Sequence, residues 1–130
     1  MRPIKASDLG LTVLSGGKAV RTGRGAKAKP RMNKLEANYA FVLDLAVKAG
    51  QILWWRFEGI TLKLADDVRY TPDFAIMEAD GMISFHETKG YMRDDARIKL
   101  RVAAVMYPFE FYLVQQKDGG AWTVEHVRVA

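Results

Sequence analysis

The sequence predicts an α/β domain with a mixed central sheet flanked by two helices, preceded by a flexible basic arm. Three observations predict it. Two stretches carry apolar residues at helical spacing, 33–49 and 94–106. Short extended runs broken by glycine lie between and after them. The 130-residue length suits one domain with one modest core. The expected boundaries are an arm over 1–30 and a folded domain over 31–130.

In the first helix, Leu35, Tyr39, Val42, Leu43 and Ala46 share a face, Asn33 stands as N-cap and Gly50 as stop. Ile52 to Phe57 and Ile60 to Leu64 read as strands separated at Gly59. Trp54 and Trp55 must face opposite sides of their strand. One is core, and the other is left open between a dimer contact, a base stack and a second buried layer. Arg69 to Met77 and Met82 to Lys89 form a hairpin. A three-residue loop, Ala79 to Gly81, with glycine last and left-handed, sets a register in which paired residue numbers sum to 160. A second helix runs from an Asp94 cap to Met106, with Ile98, Val102 and Val105 on its apolar face and Pro108 beyond its end. Phe109 to Gln115 and Ala121 to Val129 alternate as strands around a turn at Lys117 to Gly120. The expected order is helix, three or four strands, helix, one or two strands.

Charge is unevenly divided. Residues 1–34 hold nine Lys/Arg against one acid, Asp8, a net +8, and the remainder holds eleven bases and fourteen acids, a net −3. Arg21, Arg24, Lys27, Lys29, Arg31 and Lys34 suit a polyanion, since basic side chains that neutralise phosphates release counterions whatever the base sequence. The plainer alternative is a solvated tail. The chain has no cysteine, which excludes disulfides, zinc–thiolate sites and a thiol nucleophile, and two histidines argue against a histidine zinc site. No apolar run nears the ~20 residues of a membrane span, and no secretory signal is evident, so a cytoplasmic setting is expected.

The chemistry gathers in Pro72-Asp73, opening one hairpin strand, and Glu87-Thr88-Lys89, closing the other. Alternation sends Glu87 and Lys89 to one face, and the register summing to 160 places Asp73 opposite Glu87. Two carboxylates facing at ~5 Å repel unless a cation neutralises them. Hard oxygen donors at this charge density suit Mg²⁺, with Mn²⁺ as a substitute. Such an ion activates water and shields a phosphate, while Lys89 orients the nucleophile or stabilises the transition state.

Pro72-Asp73, a gap of thirteen residues and Glu87-Thr88-Lys89 together resemble the signature of the PD-(D/E)XK nuclease superfamily. The element order from 33 to about 115 is also similar. Small phage and prophage endonucleases, junction-resolving enzymes among them, look most alike. The resemblance implies a restriction-endonuclease-like fold, a Mg²⁺-dependent endodeoxyribonuclease, and products ending in 5′-phosphate and 3′-hydroxyl. It also implies Glu36 as a further metal ligand on the first helix and the Thr88 carbonyl as another. A phage or prophage origin would place the protein in the cytoplasm of a bacterial host.

Plainer readings stand beside these. Asp73 could merely begin a strand, Glu87 and Lys89 could be an exposed pair, and Glu36 could only complement the helix dipole. His86 faces away and reads as structural, and Asp94 and Asp95 as a cap and a first-turn acid. Arg93, Arg97 and Arg101 recur every four residues as one stripe, either a solvated face or a grip on a phosphate backbone. DNA is the expected partner and a homodimer the expected state, since cutting two strands needs two sites. The rivals are a noncatalytic DNA-binding module and a nucleic-acid-holding assembly protein.

Overall fold

A computed structural model of the chain describes residues 32–90 and 94–128. The expected arm, with Arg21, Arg24, Lys27, Lys29 and Arg31, lies outside the described residues, as does Arg93.

Helix α1 spans Lys34–Lys48. A capping box closes its start: the Asn33 side chain accepts from the Glu36 amide at 2.8 Å, and the Glu36 carboxylate accepts from the Asn33 amide at 2.7 Å. Gly50, at φ +76°, follows its end. Five strands come next: β1 (Ile52–Phe57), β2 (Leu62–Ala65), β3 (Val68–Tyr70), β4 (Phe74–Glu78) and β5 (Ile83–Thr88). The chain closes with α2 (Asp94–Met106), β6 (Glu110–Gln116) and β7 (Trp122–His126).

The main sheet runs β1-β4-β5-β6-β7, with β2 and β3 paired separately. Only β5–β6 is parallel, the pair that α2 connects, and the other neighbours are antiparallel, so the sheet is mixed. In the β4–β5 hairpin Phe74 pairs with His86 and Met77 with Ile83, the register expected from a three-residue loop. Gly81 takes φ +90°, and its amide donates to the Glu78 carbonyl at 2.9 Å.

The two faces of the sheet hold separate cores. On one, Trp54, Ala75, Met77, Ile83 and Phe85 pack with Leu62, Leu64 and Tyr70 of the small sheet and Leu100 and Ala103 of α2. On the other, Trp55, Phe74, Ile76 and Val114 pack with Tyr39, Ala40 and Leu43 of α1. Both tryptophans are therefore buried, one per layer, and Trp55 Nε1 donates to Asp44 on α1 at 2.9 Å. The second buried layer is the outcome, and the tryptophans form no exposed stacking surface.

Three expectations need correction. The Arg69 to Met77 run splits into β3 and β4 at Thr71-Pro72-Asp73. Proline has no N–H to give a ladder, and the break lets β3 leave the main sheet for β2. This makes five strands before α2 in place of three or four. On α2 the expected apolar face is outside: Ile98 is 61% and Val105 68% exposed, while Leu100 and Ala103 are buried. The inward stripe is Ala96, Leu100, Ala103 and Ala104, whose small alanines let the helix approach the sheet closely. Lastly, α2 begins at Asp94, which puts Asp94 in the first turn and not at the cap.

Candidate active site

The break between β3 and β4 at Pro72 and the starts of two helices create the site. β4 and β5 lie inside the sheet, so the place where their pairing stops is the carboxyl end of β5 and not a lateral edge. There the starts of α1 and α2 converge on a cleft of about 550 Å³. Asn33, Lys34 and Glu36 line it from α1, Asp73, Glu87 and Thr88 from the hairpin, and Asp95 and Ala96 from α2. Four acidic residues far apart in sequence, Glu36, Asp73, Glu87 and Asp95, thus share one cleft. Helix N-termini carry partial positive charge, and two of them on one cleft favour an anion there.

Glu87 is 8% exposed, and Tyr70 Oη donates a short hydrogen bond to its Oε2. Its other oxygen accepts from the Asp73 amide at 3.3 Å. Burial, then the negative charge of Asp73, push the Glu87 carboxyl up to about 9. Tyr70 is raised by the same burial and by Glu87. Asp73 is held by Thr88, whose amide and hydroxyl donate to its Oδ2 at 2.9 and 2.7 Å. Glu36 is raised by burial and by Asp73, while its bond to Asn33 works the other way. Its capping role and its place in the cleft coexist.

Lys89 behaves differently from expectation. Its amide donates to the Val114 carbonyl at 2.7 Å, extending β5 along β6, and its side chain lines a neighbouring groove with Arg97 and Arg101. It is not among the residues lining the carboxylate cleft. Among the described residues Lys63 pairs with Asp66 and His126 Nε2 lies against Glu110, and no described lysine or arginine is within contact distance of Glu36, Asp73 or Glu87. His86 faces α1, hydrogen-bonded to Tyr39 Oη at 2.6 Å through Nδ1, and burial lowers it to about 4. It is a neutral core histidine.

Two residues escaped the sequence reading. For Tyr70, no local signal in the sequence marks its partnership with Glu87, because β3 reaches the site through the Pro72 break. Glu58 stands at φ +47°, and its amide donates to the Asp73 carbonyl at 2.7 Å. Burial and Asp73 raise its carboxyl. The left-handed backbone costs a non-glycine residue on the order of 1 kcal/mol, so the turn is held by its surroundings. Its signal was the Glu58-Gly59 turn, read only as a separator.

The acidic side chains of the cleft offer the oxygen donors that a hard divalent cation takes, with Lys34 as the one lysine among the lining residues. The carboxylates as placed spend oxygens on Tyr70, Thr88 and backbone amides. Among the described residues no group of three or more His, Cys, Asp or Glu is arranged around a common point as a metal cage. No family model matches the chain, and no curated protein or solved structure matches it either.

Proposed function

We propose that the chain is a divalent-metal-dependent endodeoxyribonuclease of the PD-(D/E)XK kind, with a restriction-endonuclease-like core. The observation that carries this is that Asp73, Glu87 and Glu36, from separate segments of the chain, line one cleft in which Glu87 is buried. The order of α1, the β4–β5 hairpin, the α2 crossover and parallel β6 supports the fold assignment.

In this reading Asp73, Glu87 and Glu36, with the Thr88 carbonyl, hold Mg²⁺ or Mn²⁺, which when bound lowers the pKa of a water and neutralises charge on a phosphate. Thr88 fixes the Asp73 carboxylate and Tyr70 fixes Glu87, so neither need reorganise during reaction. The two helix N-termini favour the substrate phosphate in the cleft. Lys89, at the boundary with the adjoining groove, supplies positive charge to that phosphate or to the attacking water. Hydrolysis leaves 5′-phosphate and 3′-hydroxyl ends. Branched DNA, such as a four-way junction, belongs to the proposal, as do a homodimer and DNA gripping by the arm and by Lys34, Arg97 and Arg101.

Plasmid nicking with and without Mg²⁺ tests it. D73A and E87A are expected to lose cleavage by at least about 100-fold while still binding DNA. Linear, nicked, flapped and four-way DNA then rank the substrates. A second reading, a DNA-binding module without catalysis, is favoured by the absence of Lys89 from the cleft. It predicts that neither alanine variant changes function.

A further inference from the structure

The groove on the other side of the α2 start differs in charge from the carboxylate cleft. It is lined by Lys89 at the end of β5, Arg97 and Arg101 on α2, and Arg128 just past β7, over an apolar floor that includes Leu113. Arg97, Arg101 and Arg128 are exposed. The opposing groups are few: among the described residues Glu125 is the one carboxylate that lines it, and His126 Nε2 lies against Glu110. Four cations against one acid give a local excess of three positive charges. The groove has room for about 320 Å³ and is open to solvent, which suits an extended chain and not an enclosed small molecule.

Its position matters as much as its charge. Thr88 lines the carboxylate cleft and Lys89 the groove; Asp95 and Ala96 line the cleft and Arg97 the groove. Cleft and groove are thus adjacent residues apart on both β5 and α2.

We propose that this groove, with Arg128 from beyond β7 facing Arg97 and Arg101 from α2, seats the sugar–phosphate backbone of duplex DNA next to the phosphate presented to Asp73 and Glu87. The inference deepens the nuclease reading and rests on it for the fate of that phosphate. Guanidinium groups match phosphate in bidentate fashion, and phosphate contacts fix register without reading sequence. The groove therefore positions DNA and confers no base preference.

Fluorescence anisotropy of a labelled duplex with the full chain in EDTA, over a series of salt concentrations, tests the groove apart from cleavage. Each phosphate contact contributes about 0.9 to the slope of log affinity against log salt, so R101Q/R128Q is expected to lower that slope by about 1.8. At ~0.1 M salt this is a loss of affinity on the order of tens of fold, equal for unrelated sequences. R101K/R128K is expected to keep the slope, and so is K48Q, at the far end of α1. A glutamine variant that binds with the wild-type slope, or a chain that binds no duplex, overturns the groove. If the wild-type chain cuts DNA while R101Q/R128Q keeps its slope, the nuclease reading stands and the groove falls. If the slope drops as expected but no DNA is cut, the groove stands and the nuclease reading falls.

Discussion

Glu87 joins the stability of the chain to its proposed chemistry. Its carboxyl is raised from 4.5 to about 9, so the folded chain keeps a proton that the unfolded chain releases near 4.5. Its contribution is complete below pH 4.5 and is lost as pH rises toward 9. His86, lowered to about 4, acts oppositely, and its contribution is lost as pH falls from 6.5 toward 4. Of these two groups, Glu87 is the one whose contribution changes between pH 7 and 9. In EDTA the wild-type chain is expected to lose about 2 kcal/mol of unfolding free energy across that window, and E87Q much less. Urea titrations at both pH values measure this, and a flat wild-type profile refutes it. Mg²⁺ is expected to raise the thermal midpoint of the wild-type chain and to leave that of E87Q nearly unmoved, since binding to the native state alone stabilises it.

At the level of elements, the start of α1 serves two ends at once. Asn33→Ala removes one half of the capping box and should cost about 1 kcal/mol, read as a lower urea midpoint with unchanged slope. The backbone amide of residue 33 still donates to the Glu36 carboxylate in this variant, so the Mg²⁺ requirement for nicking should change little. The β4–β5 loop is a second control point. Gly81 at φ +90° ends a three-residue loop, and Gly81→Ala should destabilise by about 1 kcal/mol. Any slip of register would turn Asp73 away from Glu87, so this variant is expected to lose nicking activity more steeply than stability.

Across the whole molecule, the two cores flank one central pair of strands. Phe74 is fully buried and sits against the rings of Tyr39, Trp55 and Phe57. Phe74→Ala should cost about 3–5 kcal/mol, a large part of the stability of a domain this size, and should broaden or abolish the thermal transition. Because Phe74 follows Asp73, that loss would also free the site from the α1 layer. Sedimentation equilibrium tests the proposed dimer, with twice the 14.6 kDa chain mass expected.

Both helices, the hairpin and its register were legible in the sequence because each rests on local rules: helical spacing, an asparagine cap, a glycine-closed loop. The same rules placed Asp73 across from Glu87. On α2 side-chain volume does not mark the buried stripe, because Ile98 and Val105 face solvent while Leu100 and small alanines face inward. The split at Pro72, the pairing of β3 with β2, the burial of both tryptophans and the bond from Tyr70 to Glu87 depend on which elements pack together. So does the placing of Lys89 in a basic groove beside the carboxylates: strand alternation fixed its face, but only the position of α2 and the end of β7 decided what shares that face. Local backbone geometry is written residue by residue, whereas burial and electrostatic environment are set by segments distant in the chain.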